Sequence, residues 1–256
     1  MTLPPSADQR RWFKRFGPPN DTAIRLFCFH YAGGSAVMYR DWSRLMPAEV
    51  ETISVQLPGR ADRFSEPPYD RMAPLVDALI EALGPLLARP FACYGTSMGA
   101  RVAWALSHEL SERGLPMPRK LYVAGSPGPV LDNGEWEWDE NPDGLAGYVR
   151  DMGGTPAPVL AESELLDQLL PTLRADLTVL STHGFRPRQP LDVPIRAFAG
   201  TDDPEASPER MDRWRVETRA EFALEKVPGG HFFDAAGLRQ VVDRVGAELT
   251  ALAQVT

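Results

Sequence analysis

The chain has 256 residues, 43% of them hydrophobic and 24% charged, with a formal net charge of −8. That length can bury a sizeable core in one large soluble domain or two small ones, and the negative balance argues against a nucleic-acid partner. No run approaches the roughly 20 apolar residues needed to cross a bilayer.

The N-terminal stretch MTLPPSADQRRWFKRFGPP has arginines but no apolar segment after them. No secretory leader is therefore expected, and the expected location is cytoplasmic. In it Arg10, Arg11, Lys14 and Arg15 alternate with Trp12, Phe13 and Phe16, which reads as a solvated face with a strand-like start. Short apolar runs bounded by Gly or Pro then recur along the chain. IRLFCF (24–29), ETISVQL (51–57), FACYG (91–95), KLYVAG (120–125), IRAFAG (195–200) and FALEKVPG (222–229) read as strands buried on both faces. Between them lie segments of helical period. Met72, Leu75, Val76, Leu79, Ile80 and Leu83 form one apolar stripe, and Leu238, Val241, Val242, Val245, Leu249 and Leu252 form another. Strand–helix alternation of this kind predicts an α/β fold with a mostly parallel sheet covered on both faces.

One interval breaks the rhythm. About 70 residues separate Gly125 from Ile195, far more than a simple crossover needs. The interval begins with the Pro-, Gly- and acid-rich SPGPVLDNGEWEWDENPDG and then turns helical, with Leu165, Leu166, Leu169, Leu170, Leu173, Leu177 and Leu180 at helical spacing. Pro171 should break or kink that run. Residues 127–190 are read as a helical insertion on one side of the sheet, within a single domain spanning 1–256. Cys28 and Cys93 lie in apolar runs without metal or redox spacing and read as buried free thiols.

The segment FACYGTSMGAR places G-x-S-x-G between a predicted strand and a predicted helix. A nucleophilic serine on a strained strand-to-helix turn needs that context, with glycines allowing close backbone packing. Ser97 is the candidate. Of the four histidines, His231 follows the last strand in VPGGHFF and is the candidate base, while His108 is expected on the outer, solvated face of its helix. Asp202 and Asp203 follow the preceding strand in GTDDP; one of them can orient the imidazole, giving the order Ser, Asp, His. Two backbone N–H groups should form an oxyanion hole, one from Met98 and one from the loop HYAGGSA (30–36), whose Gly33–Gly34 pair permits close approach to a substrate.

Seven segments, LFCFHYAGGSA, VQLPGRADR, FACYGTSMGA, MGGTPAPVL, LLPTLRADL, GTDDP and VPGGHFF, follow one another in an order that resembles the type II thioesterases of polyketide and nonribosomal-peptide pathways. The resemblance runs from Ile24 to Phe233. It implies an α/β-hydrolase fold with a helical lid and hydrolysis of stalled or wrong acyl groups from the phosphopantetheine arm of carrier proteins. It also implies Ser97 as nucleophile, Asp203 as acid because a proline follows it, His231 as base, and Ala32 and Met98 as oxyanion donors. The chain departs from the family pattern at Thr96, where a histidine is common, and at His30, where a proline is common. Both are neighbours of the proposed chemistry.

No cofactor or metal is expected, and the expected partner of an otherwise monomeric enzyme is an acyl or peptidyl carrier protein. Such carriers are acidic, so docking needs a local basic patch; the N-terminal cations, or Arg60 and Arg63, are candidates. The acidic stretch 132–143, with Trp136 and Trp138, is expected at the edge of the insertion. Leu169, Leu170 and Leu173 are candidates to line an acyl chamber over Ser97. The same triad would also serve a carboxylesterase, a lipase or an acyltransferase, and a non-catalytic binding protein can stand on such a scaffold.

Overall fold

The computed structural model describes residues 7–20, 24–131, 143–152, 160–183 and 188–254. Its strands are β1 (Phe13–Lys14), β2 (Ile24–Phe29), β3 (Val50–Val55), β4 (Phe91–Thr96), β5 (Leu121–Ala124), β6 (Ile195–Gly200) and β7 (Phe222–Val227). They form one sheet in the order β1-β3-β2-β4-β5-β6-β7, parallel except for the short antiparallel β1. The helices are α1 (Ala7–Trp12), α2 (Trp42–Leu45), α3 (Met72–Leu83), α4 (Met98–Glu112), α5 (Gly144–Met152), α6 (Ser163–His183), α7 (Pro208–Asp212) and α8 (Ala235–Ala253).

Why the apolar runs are continuous follows from the pleat. Successive side chains point to opposite faces, and both faces are covered. Phe27, Phe29, Cys93, Leu121, Val123, Ile195 and Ala197 enter one core with α3, α4 and α6. Leu26, Cys28, Tyr94, Tyr122 and Phe198 enter another with α2 and α8. Both cysteines are free and buried, and burial raises each thiol above its usual range. The last strand departs from this pattern. Among the described residues β7 has only β6 beside it, and most of its residues are half-buried rather than buried. Its Glu225 pairs with Arg196 and Arg244, charges that blunt an open sheet edge.

The N-terminal cations are already paired within the chain. Arg11 meets Glu66, Lys14 meets Asp62, and Arg15 meets Glu51 at 3.0 Å, while Trp12 and Phe13 are buried. Arg60 and Arg63 are buried as well; Arg63 binds Glu66 and the Gln56 carbonyl and stacks over Trp12. Arg60 and Arg63 are thus withdrawn from the surface, whereas Arg11 keeps its internal partner while remaining exposed.

The interval after β5 holds α5 and α6. The expected break at Pro171 does not occur, and α6 runs from Ser163 to His183. Pro171 and Asp167, four residues earlier, are both exposed, so water can satisfy the carbonyl freed by the missing N–H. The acidic segment 132–142, with Trp136 and Trp138, lies outside the described residues.

His108 is buried, not solvated: its ring meets Trp104 edge-on at 4.7 Å. Burial, aided by Arg188 and His183, pushes it down to about 4. Burial, with Arg60, likewise pushes His30 to about 4, against the pull of Asp176 and the Tyr31 carbonyl. Both rings are neutral in the folded chain near pH 7, whereas an unfolded histidine protonates near pH 6.5. Between about pH 6.5 and 4 the unfolded chain binds more protons, so stability falls as the pH drops through that window. The loss should be on the order of 2 kcal/mol per residue by pH 5. Thermal melts at pH 7 and pH 5 should show this fall, and His108→Gln should remove about half of the histidine contribution; equal melting temperatures at both pH values would count against two neutral buried rings.

Candidate active site

β4 ends at Thr96 and α4 begins at Met98, so the whole reversal is made at Ser97. Ser97 takes φ 54 and ψ −118, a left-handed conformation that costs a non-glycine residue about 1–3 kcal/mol. Its N–H donates to the Ala124 carbonyl at 2.8 Å, and its own carbonyl accepts the Ala100 N–H at 3.0 Å. The flanking glycines are sterically required. A Cβ on Gly95 would lie 2.2 Å from the Gly99 carbonyl oxygen, and one on Gly99 would lie 2.1 Å from that of Phe29. Ser97 stands at the N-cap of α4, yet its side chain makes no capping bond. A mere helix cap would use the hydroxyl there, so the residue is not serving that role.

His231 lies beside the end of β5, where a Cβ on Gly125 would be 3.8 Å from its Cε1. Its Nδ1 is 3.1 Å from Asp203 Oδ2. Asp203 is 3% exposed, and its other oxygen accepts the backbone N–H groups of Glu205 at 2.9 Å and Ala206 at 3.0 Å. Burial alone would raise this carboxyl, but the bonds from His231, Ala206 and Glu205 outweigh it and hold it below its usual value. An ionised carboxylate only accepts hydrogen bonds, so Nδ1 carries the proton of that pair and donates it. Asp202, one residue earlier, is exposed.

Ser97 and His231 face one cavity of about 700 Å³, its mouth included. Ala32 and Met98, the two sequence-derived oxyanion donors, line it too. Its upper wall is apolar: Tyr148 and Val149 from α5, and Leu173, Leu177 and Leu180 from α6. Of the three leucines expected there, only Leu173 is in the wall. Leu170 is half-buried against the core, and Leu169 is 39% exposed. The cavity lies under the C-terminal half of α6, so the wall continues from Leu173 towards Leu177 and Leu180, four and seven residues on. Those two belong to the same stripe in the sequence; what was missing was where along the helix the cover begins. Tyr31 and Phe232 were also missed. Their rings meet edge-on at 4.8 Å and bring the first-strand loop against the histidine loop.

The two departures from the family pattern point elsewhere. Thr96 Oγ1 lies 3.4 Å from the hydroxyls of both Tyr39 and Tyr94, and His30 Nδ1 lies 2.8 Å from the Tyr31 carbonyl oxygen. Neither residue lines the cavity. Among the described residues, no group of three or more His, Cys, Asp or Glu side chains could hold a metal ion, and no helix is long and apolar enough to cross a membrane.

A mostly parallel sheet with the serine at a strand-to-helix reversal, and the acid and histidine after the last two strands, defines an α/β-hydrolase. The thioesterase domain family matches residues 24–249. The gramicidin S biosynthesis protein GrsT of Aneurinibacillus migulanus is 34% identical over 87% of this chain and 88% of its own length. Among solved structures, the thioesterase RedJ of the prodiginine pathway in Streptomyces coelicolor is 37% identical, with a TM-score of 0.84 over 91% of this chain and 89% of RedJ. The type II thioesterase BorB of the borrelidin cluster is 30% identical, with a TM-score of 0.79 over 95% and 96%. The chain belongs to the thioesterase domain family and is a thioester hydrolase of its type II branch.

The tight crossing at the serine has a testable consequence. Gly99→Ala must displace α4 from β2, carrying Ser97 and Met98 with it. Misplacement of reacting groups by about 1 Å can cost 10²-fold. Thioester turnover should fall by at least about that factor, measured on protein whose circular dichroism shows it folded; turnover within threefold of wild type would mean the crossing can relax.

Proposed function

We propose that the chain clears acyl groups from the phosphopantetheine arm of acyl or peptidyl carrier proteins in polyketide or nonribosomal-peptide assembly, through an acyl-enzyme on Ser97. The observation that carries this reading is one apolar cavity lined by both Ser97, whose hydroxyl makes no capping bond, and His231, with a carboxylate held below its usual pKa behind the imidazole. The enzyme works as a monomer in the cytoplasm, without a cofactor.

In this mechanism Nε2 of His231 takes the Ser97 proton as Oγ adds to the thioester carbonyl. Nδ1–H stays on Asp203, which holds the tautomer and stabilises the imidazolium. The N–H groups of Met98 and Ala32 receive the oxyanion; the start of α4 adds its positive dipole end. The C–S bond breaks, and the thiol leaves with the proton from His231. A thiol of pKa near 8.5 is a good leaving group, so acid assistance matters less here than for an ester. His231 then deprotonates a water that attacks the acyl-serine, the proton returns to Oγ, and the carboxylic acid leaves and gives its own proton to solvent.

The helices α5 and α6 act as a lid. Their apolar wall accepts an acyl chain and excludes bulk water, while making few demands on the exact group.

Ser97→Ala and His231→Ala should each reduce hydrolysis of acyl-loaded carrier protein by more than about 10³-fold, with the double variant barely worse, because triad members act as a unit. Asp203→Asn should cost on the order of 10⁴ and Asp202→Asn much less. Intact-mass assay of loaded carriers measures both, and retention of a tenth of wild-type rate by Ser97→Ala would sink the mechanism. A matched oxygen ester hydrolysed as well as the carrier thioester would instead favour a general esterase.

The cavity wall makes a separate prediction. Leu180→Trp should shift preference towards short acyl chains, whereas Leu169→Trp, outside the wall, should leave the chain-length profile unchanged; a panel of acyl-pantetheine thioesters reads both. Parallel loss at every chain length would remove the lid helix from substrate binding.

A further inference from the structure

Apart from the reacting groups, the buried charges of the site region converge where α6 meets the loops after β2 and β3. Asp176, on α6, is 2% exposed and Arg60 5%. They form two parallel bonds, Arg60 Nη1 to Oδ2 at 2.6 Å and Nη2 to Oδ1 at 2.8 Å. Oδ2 also accepts the backbone N–H of Gly33 at 2.7 Å. Arg60 reaches the same loop, with Nη1 3.3 Å from the Gly34 carbonyl oxygen, and ties to its own loop through Nε and the Pro58 carbonyl at 3.1 Å. A buried ion pair adds little net stability, because desolvation offsets most of the attraction. Its position therefore asks for a reason other than stability.

The loop it grips contains Ala32. The Gly34 N–H donates to the Tyr31 carbonyl at 3.0 Å, and Gly33 has φ 75. These are the marks of a turn over residues 31–34 with glycine at its third position, where a positive φ is required. In the alternative form of such a turn the central peptide, Ala32 carbonyl to Gly33 N–H, is flipped over. The Asp176 carboxylate accepts the N–H in the present form and would face the Ala32 carbonyl oxygen in the flipped one, two negative ends together. Leu173, one turn before Asp176 on α6, closes the same place from the cavity side: a Cβ on Gly33 would lie 3.3 Å from its Cδ1.

We propose that Asp176 is a positioning residue for the oxyanion hole. Through the Gly33 N–H it anchors the 31–34 turn to α6 and so fixes the place of Ala32, which lines the cavity. It is borne by the helix whose Leu173, Leu177 and Leu180 form the acyl wall. Seating of that helix and completion of the hole are thus one event, and a helix lifted from the body leaves Ser97 without one of its two donors. The inference rests on the reading of Ser97 as nucleophile and Ala32 as donor.

The test uses the full-length enzyme and a short acyl-pantetheine thioester, with kcat and KM measured beside the affinity for an alkyl boronic acid, which adds to the serine as a tetrahedral anion. Four variants are compared: Asp176→Ala; the double variant Arg60→Met/Asp176→Leu, which replaces the ion pair by apolar groups and so keeps the fold if Asp176→Ala does not; Thr172→Val; and Ser97→Ala. Thr172 is another polar anchor of the helix, donating to the Gly59 carbonyl at 2.7 Å, with no hydrogen bond to the 31–34 turn. Loss of an oxyanion donor costs about 10²–10³ in kcat, so a donor left in place but unanchored should cost roughly 10- to 100-fold. The folded Asp176 variants should show that fall in kcat, a KM within about threefold of wild type, and a matching loss of boronate affinity, while Thr172→Val stays near wild type in all three. A folded Asp176 variant with wild-type kcat, a loss confined to KM, boronate affinity unchanged while kcat falls, or an equal loss of kcat in Thr172→Val would each overturn the proposal. Activity surviving in Ser97→Ala would overturn the mechanism itself; an inactive Ser97→Ala beside an unaffected Asp176 variant overturns only the positioning role.

Discussion

The strand, the helix and the neighbouring strand meet around Ser97 with no space for a single extra carbon. Gly95 on β4 rests on the Gly99 carbonyl, and Gly99 at the start of α4 rests on the Phe29 carbonyl at the end of β2. That contact forces the reversal into one residue and holds Ser97 at φ 54. The strain is offset locally by the bonds to Ala124 and Ala100. The candidate site is placed relative to this crossing. The helix start lies next to the serine, the histidine loop abuts Gly125 one residue beyond Ala124, and the first-strand loop begins where Phe29 ends. The parallel strands on either side are regular and covered, and within this crossing the strained backbone is that of Ser97.

A second constraint governs the insertion. α6 has to face the cavity with apolar side chains and the body of the domain with polar ones, and one helix does both. Leu173, Leu177 and Leu180 point into the cavity; Thr172 and Asp176 bond to loops of the domain. The polar side fixes register and height, since a carboxylate with three donors in defined directions cannot slide as a leucine can. The apolar side lines the cavity and makes no directional bond there.

The four histidines show how little residue type says without environment. His231 is poised by a carboxylate that remains ionised despite burial. His30 and His108 are held neutral by burial and by nearby arginines. His183 meets Trp104 edge-on at 6.1 Å. The arginines divide in the same way. Arg60 and Arg63 read on paper as surface cations suited to an acidic partner, and both are inside: Arg60 against Asp176 and the Gly34 carbonyl from distant segments, Arg63 against nearby Glu66 and the Gln56 carbonyl.

What the sequence determined by itself are the features set by local chemistry and chain order. Apolar runs between Gly and Pro mark the strands of the parallel sheet, and the periodic stripes of α3 and α8 mark helices. The spacing G-x-S-x-G between a strand and a helix singles out Ser97, and the loops after the last two strands carry Asp203 and His231. These are legible because periodicity and turn stereochemistry act over a few residues. Tertiary structure alone decided the rest. Leu177 and Leu180 rather than Leu169 form the cavity wall, although all three share one stripe, because the cover over Ser97 begins only halfway along α6. β7 is half-exposed because nothing pairs with its outer side, which its apolar run cannot reveal. Asp176 looks like a solvated acid in a leucine stripe, and its meaning comes from Arg60 and Gly33, 116 and 143 residues away. The chain has to close on itself before a carboxylate can tell an ion pair from water.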